Sequence, residues 1–133
     1  MTTFALHPGL DADTAFVADW PLCRVLLMND SRYPWLILVP RRADAVEIMD
    51  LTLADRSVLM EEIARASRIV RGLPGIIKLN IGALGNVVPQ LHVHVLGRRA
   101  GDPAGRGPVW GHSPAEPYDA PARDALIALV RSY

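Results

Sequence analysis

Residues 90–96, Gln90-Leu91-His92-Val93-His94-Val95-Leu96, alternate polar and apolar side chains as a half-buried β-strand requires. Successive side chains leave opposite faces of a strand, so Gln90, His92 and His94 are expected to project together while Leu91, Val93 and Val95 face the other way. Neighbours on the polar side stand roughly 6.6 Å apart, from about 3.3 Å rise per residue. The run therefore demands a sheet, and it places three nitrogen-bearing side chains in a row on a rigid template.

The rest of the chain supplies the partners such a strand needs. Residues 22–28 read as a strand closed by the turn-forming Asn29-Asp30-Ser31, and residues 35–39 as a second one ended by Pro40. Their close spacing makes them an antiparallel pair. Thr52-Leu53-Ala54-Asp55 resembles a capping box with Asp in place of the usual Glu or Gln, and it opens a helix. Leu59, Ile63, Ile69 and Val70 form the apolar stripe of that helix. Glu61, Glu62, Arg65 and Arg68 read as its solvated face, with Glu61 and Arg65 spaced for an i,i+4 pair. Gly72 and Pro74 end it.

Residues 76–81 read as a third strand, and residues 82–86 as a glycine-bearing connection into the histidine strand. Residues 101–121 are rich in glycine and proline yet hold Trp110 and Tyr118, so they read as a loop; Asp119 can cap a short final helix over about residues 122–130. Residues 1–8 read as a short strand or arm, and residues 11–20 have no clean period. Hairpins with a single long helix predict an α+β fold: an antiparallel sheet of about five strands, the long helix packed on it, and a short C-terminal helix.

At 133 residues the chain is expected to form a single domain, residues 1–133. Its formal charges cancel, which argues against an electrostatic nucleic-acid footprint. Cys23 stands alone among apolar neighbours and reads as a core residue; with no disulfide framework, a reducing cytoplasm is the expected compartment. There is no basic segment leading into an apolar stretch of signal length, and no apolar run near the ~20 residues that cross a bilayer.

The histidines admit three readings. Imidazole, with an unperturbed pKa of about 6.5, can act near neutral pH as a nucleophile or a proton donor, which suits acyl or phosphoryl transfer. A histidine that attacks an α-phosphorus forms a phosphoramidate that water then resolves. Two imidazoles at i and i+2 could instead bind zinc, although no companion ligand stands at matching spacing. The third reading is two polar residues on an exposed sheet face. Arg98-Arg99 and Arg41-Arg42 read as solvated pairs and Lys78 as a surface residue. Trp35 reads as a core or interface residue, and Trp110 as a side chain that closes over a base or a partner subunit.

The run from Gly85-Asn86 through Pro89-Gln90-Leu91-His92-Val93-His94-Val95-Leu96 resembles the histidine triad (HIT) signature, with Gln90 in place of the first histidine. The resemblance extends over residues 22–98. It implies that His92 attacks the α-phosphate of a nucleoside phosphate or a dinucleoside polyphosphate such as diadenosine tetraphosphate. His94 and Gln90 would then surround the phosphate. It further implies that Asn29 holds ribose and that Asn80, Gly85 and Asn86 bind the nucleotide. Where the family commonly has Gly-His before its second strand, this chain has Pro34-Trp35. The resemblance also implies a homodimer, and a chemical step that requires no metal, with a divalent cation only as companion to a polyphosphate substrate. The alternative is a nucleotide-binding module with little turnover.

Overall fold

The computed structural model describes residues 3–133. An irregular arm enters α1 (Pro8–Asp13), followed by β1 (Thr14–Asp19), β2 (Cys23–Met28) and β3 (Trp35–Pro40). A 3₁₀ turn at Ile48–Asp50 precedes α2 (Leu53–Arg71), which leads to β4 (Ile76–Gly82) and β5 (Val93–Arg99); α3 (Ala120–Arg131) closes the chain. The strands form one antiparallel sheet in the order β1-β2-β3-β5-β4. This is the expected α+β architecture. Of the strand or arm read over residues 1–8, residues 3–7 form neither strand nor helix and Pro8 opens α1; Met1 and Thr2 lie outside the described residues.

The strand in residues 14–19 escaped the periodicity because it is an edge strand with a bulge. Its register against β2 shifts between Phe16 and Ala18, which breaks the two-residue alternation. β3, by contrast, is buried at every position. Its unbroken apolar run has a simple cause, since both faces of the sheet are covered. One core holds Leu91, Val93 and Val95 under α2 and α3. A second core on the opposite face gathers Leu10, Leu26, Tyr33, Trp35, Ile37, Leu96 and Val109 beneath α1 and the long loop.

Both helix caps form as expected: the Thr52 hydroxyl accepts from Asp55 N and the Asp119 carboxyl from Ala122 N. The solvated face assigned to α2 needs two corrections. Glu62 is 5% exposed, and its carboxyl oxygens accept from the backbone N–H groups of Leu22 and Cys23 at 3.0 and 2.8 Å. Standing at i+3 from Leu59 and i−4 from Ala66, it belongs to the buried stripe and satisfies amides at the start of β2. Arg65 lies over the Trp20 ring at 4.1 Å rather than beside Glu61. Cys23 is buried as expected, and burial pushes its thiol well above the ordinary range, so it is a poor nucleophile.

Gly97 sets how closely α2 approaches the sheet. A Cβ there would stand 2.8 Å from Ile76 Cδ1 and 2.9 Å from Val70 Cγ1, inside van der Waals contact. Gly97→Val is expected to cost about 2–3 kcal/mol by overpacking, read as a lower midpoint in urea unfolding. An unchanged midpoint would show that α2 can move outward freely. Among the described residues no helix is long and apolar enough to cross a membrane.

Candidate active site

The histidine strand begins later than its sequence alternation suggests. β5 starts at Val93, so Gln90, Leu91 and His92 form the approach to it, held by the Leu91 N–H donating to Ala45 O. Within β5, His94 pairs with Ile37 of β3 on one side and Gly82 of β4 on the other. His92 and His94 still share a face, with ring centroids 4.9 Å apart. That face is no open surface: the two residues are 7% and 6% exposed.

They border a cavity of about 610 Å³, within the range of a small-ligand site. α1 contributes Gly9 and Leu10 to its wall, the connection after β4 contributes residues 84–88, and the long loop contributes Val109 and Trp110. Gly85 has φ of +70°, a left-handed turn that glycine adopts without strain and that brings the chain back over the histidines. Trp110 meets the His94 ring edge-on at 5.5 Å and Trp35 at 6.3 Å.

Hydrogen bonds set the state of each imidazole. His92 Nδ1 lies 2.7 Å from Gln90 O. A carbonyl only accepts, so Nδ1 carries the proton and Nε2 keeps its lone pair. His94 Nδ1 instead accepts the indole N–H of Trp35 at 3.0 Å. Burial, with the neighbouring His92 as a lesser cause, pushes the His94 pKa down to about 4, so the ring is neutral at physiological pH.

The other sequence-derived candidates separate into two groups. Gly85 and Asn86 line the cavity with the histidines. Gln90 does not project beside them: its Oε1 accepts from His7 N and its Nε2 donates to Ala5 O, both at 2.8 Å. Because Gln90 precedes the strand, the alternation does not govern its direction, and its carboxamide ties the N-terminal arm down instead. Asn29 Oδ1 accepts from Tyr118 N at 3.0 Å and docks the C-terminal loop. Its neighbour Asp30 reaches the cavity wall. Asn80, on the edge strand β4, lies off the cavity, and its Oδ1 accepts from Arg98 at 3.1 Å.

Asp30 and Arg32 are not among the sequence-derived candidates; in the sequence Asn29-Asp30-Ser31 offers only turn chemistry. Their pair is tight, Arg32 Nε and Nη2 each donating to the Asp30 carboxyl at 2.9 Å. Burial works to raise the Asp30 pKa, but the hydrogen bonds and charge of Arg32 outweigh it and hold the carboxyl below its usual range. Arg98, read as half of an exposed pair, is 8% exposed. It grips Asp102 with two bonds of 2.8 Å and donates to Gly105 O and Gly107 O at 2.8 and 2.7 Å. It thereby shapes the loop that delivers Trp110.

Among the described residues no group of three or more His, Cys, Asp or Glu side chains is placed to hold a metal ion. His7 caps α1, accepting from Gly9 N, and His112 contacts Ser113 Oγ, so neither joins the central histidines.

The model of the HIT domain matches residues 10–101. Among solved structures, a histidine triad protein from Bradyrhizobium japonicum is 47% identical, covers 98% of each chain and superposes with a TM-score of 0.96. One from Sinorhizobium meliloti 1021 is 45% identical over 99% of this chain and 98% of that one, with a TM-score of 0.95. One from Marinobacter aquaeolei VT8 is 43% identical over 98% and 96%, also at 0.95. Among curated proteins no match was found. With two histidines on one cavity wall, a family model spanning more than half of the sequence and relatives this similar along their whole length, the chain belongs to the HIT domain family.

Proposed function

We propose that this HIT protein is a nucleotide hydrolase or transferase acting at the α-phosphate of nucleoside phosphates through a covalent nucleotidyl-His92 intermediate. One observation carries the reading: His92 Nδ1 lies 2.7 Å from Gln90 O beside a ligand-sized cavity, and because the carbonyl can only accept, the neutral ring keeps its lone pair on Nε2. Nε2 attacks the α-phosphorus, a P–N bond forms, and the bond to the leaving group breaks, a phosphate departing as its anion and an amine with a proton taken up from solvent. Positive charge that develops on the imidazole is stabilised through Nδ1–H against the carbonyl. Water then attacks phosphorus and releases one proton to solvent, the P–N bond breaks, and His92 returns to its starting form. Gly85 and Asn86 border the phosphate, with His94 on its other side. In this reading a divalent cation enters only with a polyphosphate substrate. A second copy pairing along the free edge of β4, where Ile77 and Ile81 stand exposed, would complete the expected homodimer.

The charges on the cavity wall bear on the leaving group. Among the described lining residues Arg32 is the one Lys or Arg side chain, and Asp30 and Ser113 already engage it. Distal phosphates would find no free cation within the cavity, which favours a short leaving group such as an amine over a long polyphosphate. The test is incubation with an adenosine phosphoramidate and with diadenosine tetraphosphate, products being separated by chromatography. The phosphoramidate should turn over faster, and faster cleavage of diadenosine tetraphosphate would reverse the preference. AMP binding without turnover of either compound would leave a binding module.

A further inference from the structure

The bond between Trp35 and His94 has a consequence for the proton on His94. An indole nitrogen donates and never accepts. With Trp35 Nε1–H pointing at His94 Nδ1 across 3.0 Å, Nδ1 must hold a lone pair, and the single proton of the neutral ring resides on Nε2. We infer that Trp35 is a positioning residue that locks His94 as a fixed Nε2–H donor beside the nucleophile, ready to hold a phosphoryl oxygen. The reaction it would serve is the one proposed above; the proton placement itself stands on the hydrogen bond alone.

The fold explains why a tryptophan does this. Trp35 pairs with Leu96 and Ile37 with His94, so Trp35 and His94 are diagonal neighbours on one face of adjacent strands. Diagonal positions lie roughly 7–8 Å apart, a gap that long aromatic side chains bridge. The indole is itself clamped, with Tyr33 edge-on at 6.4 Å and Trp110 perpendicular at 6.3 Å. The result is asymmetric. Two imidazoles 4.9 Å apart carry their protons on opposite nitrogens, His92 on Nδ1 and His94 on Nε2. The first is thereby free to attack phosphorus and the second to donate.

The surroundings keep that division in place. His94 faces His92 from its own segment, Trp35 and Ile37 from β3, Gly82 from β4 and Trp110 from the long loop. Among the described residues the charged groups on the same cavity wall are Asp13 and the mutually paired Asp30 and Arg32, and none of them bonds to His94. Protonating Nδ1 would require breaking the Trp35 bond in a buried site, so the donor state should persist across the neutral pH range.

Long-range proton–nitrogen correlation spectra of the full chain labelled with ¹⁵N-histidine, recorded from pH 5.5 to 8, read the tautomer directly. The expected result is a constant Nε2–H pattern for His94, with its Nδ1 in the lone-pair range. In Trp35→Phe, His94 should become a mixture of tautomers. The same change should lower kcat roughly tenfold, on the scale of one lost hydrogen bond, with KM within about twofold. In a His94→Ala background Trp35→Phe should have no further effect on kcat, because Trp35 acts through His94. An Nδ1–H tautomer in the parent protein, or an equal loss in both backgrounds, overturns the inference. Should Trp35→Phe fail to fold, the parent spectra decide alone. Absence of nucleotide turnover would sink the hydrolase reading while leaving the tautomer result intact.

Discussion

His92→Ala is expected to lower nucleotide turnover by about 10⁴-fold or more while AMP binding stays within a few-fold of the parent protein. The size of the effect follows from the role. A residue that only touches the substrate contributes a hydrogen bond or two, whereas removing the attacking atom deletes the covalent route and leaves only direct attack by water. Alanine at this position also removes the Nδ1–H to Gln90 O bond, but that residue pair lies in the approach to β5 rather than in its ladder, so the fold should survive. Single-turnover measurements should show no nucleotidyl-protein adduct in the variant, and calorimetric titration with AMP should show binding retained. Unchanged turnover would remove His92 from the nucleophile role outright.

Arg98→Ala should produce the largest loss of stability among substitutions near the cavity, about 3 kcal/mol, seen as a fall in Tm of roughly 10 °C. The guanidinium is buried and saturated, bonded to Asp102, Asn80, Gly105 O and Gly107 O. Its removal takes the counter-charge from the Asp102 carboxyl, whose side chain is 5% exposed and keeps the Arg99 and Gly105 N–H donors, and frees two loop carbonyls from their donor. The loop then loses the anchor that precedes Val109 and Trp110, so substrate affinity should weaken along with stability. Arg98→Lys should recover little, because an ammonium cannot reproduce the planar fork that holds Asp102 and both carbonyls together. A change in Tm below about 2 °C would mean that the loop is held mainly by Val109 in the second core.

Much of the fold was legible because its signals are local. The ends of α2 follow from Thr52 and Gly72, and β2 and β3 follow from short apolar runs bounded by turn residues, all within a few positions of the element concerned. β1 was not legible: a bulged edge strand has no clean period to detect. The site divides along the same line. His92 and His94 stood out through their spacing, and Gly85-Asn86 through their place in the loop before them.

What escaped detection depended on residues far away in the chain. Glu62 is buried because the amides of Leu22 and Cys23 need an acceptor, a demand made 40 positions away. Gln90 turns from the histidines because the arm at His7, 83 positions upstream, offers both a donor and, through Ala5, an acceptor. Arg98 is internal because the loop folds back over it.

By itself the sequence determined that this chain forms an α+β sheet carrying two histidines on one face, since strand alternation and helix capping are set by neighbouring residues. Only the tertiary structure decided that this face is roofed into a cavity and that Asp30 rather than Asn29 reaches it. It alone put the protons of His92 and His94 on opposite nitrogens. Those outcomes follow from which donor meets which acceptor when β3, β5 and the long loop come together, and buried polar groups must take the partners that packing supplies.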